Sequence, residues 1–244
     1  MKKVELVQCF ENNLLLIMHL TSFDLQKSIF LRNRLHYFSF IHLLTPLSKN
    51  KSKNHMYKNL RLSIEQKTPL TDEEWKLVVE KVKFIKLKKN EFLQIQDSNS
   101  SYEGFILKGA FKTYILNDNG TESVIFFSFE NEWMCDLGSF YHQKLTTYNI
   151  KAIEESEILV ISKTNKAILF EQVPKLIQFH IIMVEKANIA IQQRLIDVLN
   201  KTSKQRYLEF IEKYSHKAAK INNRNLSSYL GVSHEFLSKI KRSF

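Results

Sequence analysis

His234, Glu235, Ser238 and Lys239 crowd into six residues near the end of a 244-residue chain. An imidazole, a carboxylate, a hydroxyl and an ammonium side by side can donate and accept hydrogen bonds at base edges in a groove, or at phosphates. Their neighbours turn these four outward. Leu226 and Leu230 lie one turn apart and face inward, and Ser227 is small where two helices must approach closely. Gly231 stands where the first helix ends and the backbone needs a left-handed turn. Val232 plugs that turn, Ser233 caps the second helix, and Leu237 and Ile240 anchor it. From Asn223 to Ile240 this is helix-turn-helix spacing. A helical hairpin with no nucleic-acid role shares part of the pattern, but the local charge separates the two. Residues 190–244 hold about eleven Lys and Arg against about four Asp and Glu, the bias of a phosphate-contacting surface.

The whole chain carries a net charge of +11, which favours a polyanionic partner, nucleic acid or an anionic membrane surface. Catalytic patterns are missing. There is no phosphate loop, nucleophile elbow, HExxH or spaced set of metal ligands, so no catalytic residue, metal or cofactor is expected. Glu154, Glu155 and Glu157 read as solvated residues in a turn. Cys9 and Cys135 are the only cysteines, too few for a disulfide framework or an iron–sulfur cluster, and point to a cytoplasmic protein. Cys135, beside Trp133 and Met134, reads as buried filler, with a redox switch as the alternative. His142 reads as an exposed loop residue rather than a haem ligand. No apolar run nears the roughly 20 residues that span a bilayer, and Leu14–Met18 lacks a following cleavage site.

The elements that position these residues come in a definite order. Residues 1–55 have apolar clusters without sustained period and end in a basic, polar linker, Leu47 to His55. Met56 is read as the true start, the upstream part being leader sequence; a basic amphipathic segment resting on membrane is the alternative. Thr71 and Glu74 form a capping box for a helix bearing Trp75, Val78, Val79 and Val82. The period then switches to two. Phe84–Lys88, Phe105–Lys108, Phe111–Ile115, Ser123–Phe127, Asn149–Ile153 and Glu157–Ile161 read as short strands separated by turns, including Lys108-Gly109 and Asn117–Gly120. A small helix follows from Ser162 to Phe170. After Pro174, Ile177, Ile181, Val184, Asn188, Ile191, Leu195 and Val198 recur at alternating spacings of four and three, the seam of a two-stranded coiled coil. Asn188 is the polar core position that sets register. Ile182, Ala187 and Ala190 widen the stripe, so part of this helix is expected to touch the β region as well. The next helix opens at Thr202 with Gln205 as capping partner and buries Tyr207, Leu208, Phe210, Ile211 and Tyr214. Lys213 to Lys220 read as a short basic connection.

A jelly-roll-like region, a long dimer helix and a terminal helix-turn-helix, in that order, resemble the cyclic-AMP receptor/fumarate-nitrate (Crp/Fnr) regulators from about Leu70 onward. Gly104–Ala110 resembles the family's strand-and-turn signature, Trp133–Phe140 its phosphate-binding cassette, and Ser233–Lys239 its recognition helix. The resemblance implies an α+β fold. A cyclic-nucleotide-binding-like roll is expected over 56–170, a dimerisation helix over 171–199 and a DNA-binding domain over 200–244. It implies a bacterial transcription regulator, with His234, Glu235 and Lys239 touching bases. Ser233, Ser238, Arg224, Lys241 and Arg242 complete the expected DNA-binding set. His234 stands where the family frequently has arginine, so the DNA sequence read differs from that of the best-known members. Asp136, Leu137, Gly138, Thr146 and Thr147 are the corresponding ligand-binding positions. Cyclic-AMP-binding members place an arginine on the phosphate where Thr146 stands here. A hydroxyl cannot neutralise a buried phosphate, and Trp133 to Ile150 contain no arginine, so cyclic AMP is not the expected effector. The implied partners are double-stranded DNA, a second copy, RNA polymerase and a small-molecule effector, with no membrane. The alternative is a ligand-binding or membrane-associated signalling module whose helix-turn-helix serves only for packing.

Overall fold

The computed structural model of the chain describes residues 56–242, residues 101 and 143 excepted. The stretch 1–55, with both readings of its role, lies outside the described residues.

Two helices lead in, α1 (Lys58–Glu65) and α2 (Asp72–Lys81). The second opens on the capping box read from sequence: the Glu74 N–H donates to Thr71 Oγ1 at 3.2 Å, and the Thr71 N–H donates to Glu74 Oε2 at 2.7 Å. Helix α1 had no place in the sequence reading; Leu60 and Ile64, buried four residues apart, hold it.

Eight strands follow: β1 (Lys83–Leu87), β2 (Phe92–Gln94), β3 (Tyr102–Lys108), β4 (Ala110–Leu116), β5 (Glu122–Phe129), β6 (Trp133–Met134), β7 (Asn149–Ala152) and β8 (Ser156–Ser162). A short helix α3 (Leu137–His142) sits between β6 and β7, so His142 ends a helix rather than lying in a loop. The strands form two antiparallel sheets, β1-β8-β3-β6 and β2-β7-β4-β5. The six longer strands coincide with the period-two runs. The two short ones, β2 and β6, carry too few residues to show alternation. Glu157, read as a turn residue, belongs to β8 and pairs with Lys86 at 2.8 Å.

Alternation along the strands sends side chains to two different cores. In β8, Ile158 and Val160 join Ile106, Phe111 and Ile150 between the sheets, while Leu159 and Ile161 face outward against α1, α2 and the helices after the roll. Both faces of β8 are therefore buried, which explains its unbroken apolar run. Gly109 links β3 to β4 at φ +102°, and a Cβ there would lie 2.2 Å from Ser156 Oγ.

The remaining helices are α4 (Lys163–Gln172), α5 (Lys175–Asn200), α6 (Ser203–Ala218), α7 (Asn223–Leu230) and α8 (His234–Arg242). Three expectations need correction here. Residues 213–218 are helical, not a connection, because Tyr214 and Ala218 continue the stripe of Tyr207 and Ile211 onto the core; Ser215, at φ 36°, kinks the helix. Leu208 is exposed, since it lies off that stripe. Helix α5 touches the roll first through Leu176, Phe179 and Met183, on a face adjacent to the seam, and further along through Arg194, while Ile182 is half-buried and Ala187 and Ala190 stay exposed.

Candidate nucleic-acid interface

Helix α7 is capped by Asn222, whose side chain accepts from the Asn225 N–H at 2.8 Å. It buries Leu226, Ser227 and Leu230, and ends where Gly231 takes φ 68°, ψ 38°. The Val232 N–H donates to the Ser227 carbonyl and the Gly231 N–H to that of Ser228, a Schellman closure. Ser233 Oγ then accepts from the Phe236 N–H at 3.1 Å and starts α8. Leu237 and Ile240 are buried and anchor it.

This frame leaves Ser233, His234, Glu235, Lys239, Lys241 and Arg242 exposed, with Arg224 exposed on the first turn of α7. Ser238 is half-buried and donates to the His234 carbonyl at 2.9 Å, so its hydroxyl is engaged with its own helix. Lys241 Nζ bonds the Asn223 side chain, tying the end of α8 to the start of α7. The Glu235 carboxyl is held below its usual range by its own backbone N–H and by Ser233. Phe236, absent from the sequence reading of the site, is also exposed on α8. The result is one polar, mostly basic face on a short, well-anchored helix.

Helix α7 does not stand free of the roll. Ser228 Oγ donates to the Glu122 carbonyl at 2.6 Å and accepts from the Val124 N–H at 2.9 Å, fastening the helix to β5. Lys112 on β4 is buried, pairs with Glu122 and donates to Asn225 Oδ1 at 3.2 Å. Phe127 packs on Phe210 and Tyr229 at ring-centroid distances of 6.0 and 5.3 Å. Around this apolar contact, Lys220 reaches Glu130 and Glu154, and Lys217 reaches Glu132.

The five ligand-binding positions are divided by the fold. Asp136 is buried and its Oδ1 accepts from the Ser139 N–H at 3.0 Å, which caps α3. Thr146 is 1% exposed; its hydroxyl donates to the Tyr148 carbonyl at 3.0 Å and its backbone bonds Asp97 and Ser98. Leu137, Gly138 and Thr147 are exposed. Cys135 is half-buried, and burial pushes its thiol well up, away from the thiolate a redox switch needs. Among the described residues no group of three or more His, Cys, Asp and Glu could hold a metal ion, and no helix is long and apolar enough to cross a membrane.

Residues 84–172 match the cyclic nucleotide-binding domain family. The structure is similar to FixK2 from Bradyrhizobium japonicum, with 15% identity over 66% of this chain and 83% of that one and a TM-score of 0.60. It is similar to CLP, a c-di-GMP-responsive global regulator of Xanthomonas campestris, with 11% identity over 71% and 91% and a TM-score of 0.60. A protein from Eubacterium rectale assigned to the crp/fnr family of transcriptional regulators aligns with 15% identity over 72% and 83% and a TM-score of 0.58. The chain has the Crp/Fnr fold. The aligned share exceeds the segment 84–172, so the Crp/Fnr likeness extends beyond the nucleotide-binding-like domain. No curated protein matches the chain in sequence.

Proposed function

We propose that this Crp/Fnr-fold chain is a cytoplasmic, dimeric transcription regulator that reads double-stranded DNA through α8. The observation that carries the reading is the exposed face of Ser233, His234, Glu235 and Lys239 on a helix anchored by Leu237 and Ile240, with Arg224, Lys241 and Arg242 beside it. A recognition helix held this way can enter a major groove while flanking cations meet phosphates. Two such helices, brought together along α5, dock when half-sites lie about one helical turn, roughly 34 Å, apart. Support for pairing along α5 comes from Ile177, Ile181, Ile191, Leu195 and Val198, which are each 43–60% exposed in the single chain. An apolar row of that length is a surface a second copy would cover.

The effector is other than cyclic AMP. Thr146 is buried with its hydroxyl bonded to backbone, and it puts no cation where a buried phosphate would need one. The test is selection of genomic DNA fragments by the purified chain. A palindromic motif is expected, reduced roughly 10- to 100-fold in affinity by Glu235→Ala or Lys239→Ala and unchanged by cyclic AMP. Binding without sequence preference in both the presence and absence of cell extract would overturn the reading.

A further inference from the structure

Where α5, α6 and α7 meet β5 there is a pocket of about 170 Å3. Its walls include the rings of Phe126, Phe210, Tyr214 and Tyr229. Two guanidiniums enter it. Arg194, on α5, lies over the Tyr229 ring with its carbon 4.0 Å from the centroid, and Arg206 comes from α6.

The acceptors these arginines have are all neutral. Arg194 Nη2 donates to the carbonyls of Val124 and Tyr229 at 3.3 and 3.1 Å. Arg206 donates to the carbonyls of Lys201 and Leu230 and to Ser203 Oγ. Arg194 Nη1 and Arg206 Nε are buried and have no hydrogen-bond partner among the described residues. The two acids in the wall are already engaged: Asp197 and Glu209 both pair with Lys201, at 2.8 and 2.7 Å. Burial pulls the Arg194 guanidinium below its ordinary value, and Arg206 opposes it further. Two close cations with unmet donors and no carboxylate of their own form an anion site, because a buried guanidinium is costly until it is paired. Arginine's planar fork matches a carboxylate in particular. The volume sets the rest of the ligand, since a cavity of roughly 150 Å3 takes one benzene ring. A nucleotide is too large.

We infer that this pocket binds a small aromatic carboxylate, its ring among the four aromatic side chains and its charge between Arg194 and Arg206. Such a ligand joins the long helix to the helix-turn-helix, since Arg194 belongs to α5, Arg206 to α6, and Tyr229 and Leu230 lead directly into the Gly231 turn. Its occupancy therefore sets the angle between α5 and α8, a regulatory role that rests on the DNA-binding reading above.

Calorimetric titration of the full chain with benzoate tests the site. One-to-one binding is expected, weakened at least about tenfold in Arg194→Lys and in Arg206→Lys, which keep the charge and lose the fork. Benzyl alcohol, with the ring and no charge, and inorganic phosphate, with the charge and no ring, should each bind at least about tenfold more weakly. Circular dichroism melts confirm that both variants are folded. Absence of benzoate binding, equal binding by both variants, or equal binding of either control ligand would overturn the site. Operator affinity measured with and without benzoate is a separate readout, expected to change in the wild type and not in the variants. Benzoate binding with unchanged operator affinity would keep the site and remove its regulatory role. Benzoate binding by a chain that selects no DNA would keep the site and overturn the regulator reading.

Discussion

Lys166 is buried at the centre of a cluster of charged, polar and aromatic side chains. It pairs with Glu103, lies 5.5 to 5.8 Å from the ring centroids of Phe140, Tyr141 and Phe170, and meets His180 Nδ1 at 3.1 Å. An ammonium only donates, so Nδ1 accepts and the imidazole proton sits on Nε2, which donates to Tyr141 Oη at 3.0 Å. Burial first, and Lys166 second, hold His180 below its ordinary value. An unfolded histidine titrates at about 6.5. Above that pH neither state takes up the proton and this group does not affect stability. As pH falls below about 6.5 the unfolded chain binds the proton first, and stability drops until the folded value is passed. Denaturant unfolding from pH 7.5 to 5 should therefore show a decline that His180→Gln makes shallower. Identical slopes would mean that His180 does not titrate differently on folding.

At the scale of elements, helix ends were legible because capping is local chemistry. Thr71, Thr202 and Ser233 each cap the helix that sequence assigned to them, with Gln205 returning the bond to the Thr202 N–H at 2.9 Å. Glycines show how unequal such local signals are. Gly231→Ala meets nothing within 4 Å and loses only the ease of a left-handed backbone, about 1 kcal/mol. Gly109→Ala adds a clash with Ser156 backbone and side chain to the same strain. Thermal melts should place Gly109→Ala well below Gly231→Ala. For α5 the alternating spacing of its seam residues implies a partner, so sedimentation should show a dimer that Leu195→Asp converts to monomer. A wild-type chain that runs as a monomer would refute the seam. The short strands β2 and β6 were not legible, since two or three residues carry no period, and α1 was not because Leu60, Leu62 and Ile64 fall at alternate positions rather than in a helical period.

For the molecule as a whole, the docking of α7 on β4 and β5 decides where α8 sits against the roll. Its apolar part, Phe127 and Phe129 against Phe210, Tyr214 and Tyr229, joins the two regions into one continuous core. Its polar part is centred on Lys112, which burial holds below its ordinary value despite the Glu122 carboxylate beside it. Lys112→Ala leaves Glu122 without its cation in a mostly buried place. The expected loss is on the order of 3 kcal/mol by denaturant unfolding. The more exposed Lys217–Glu132 pair should cost under about 1 kcal/mol when Lys217 is replaced by alanine. Equal losses would show that the interface is held by its rim.

Sequence alone determined the order of the longer elements, the strand faces, the caps and most of the outward face of α8. All of these rest on periodicity and on contacts within about four residues, which a linear chain records directly. Only the tertiary structure decided that α7 packs on β5 and that Arg194 and Arg206 share one pocket. Those depend on residues 12 to more than 100 positions apart. Burial there is set by which faces meet, and neither residue type nor spacing specifies that meeting.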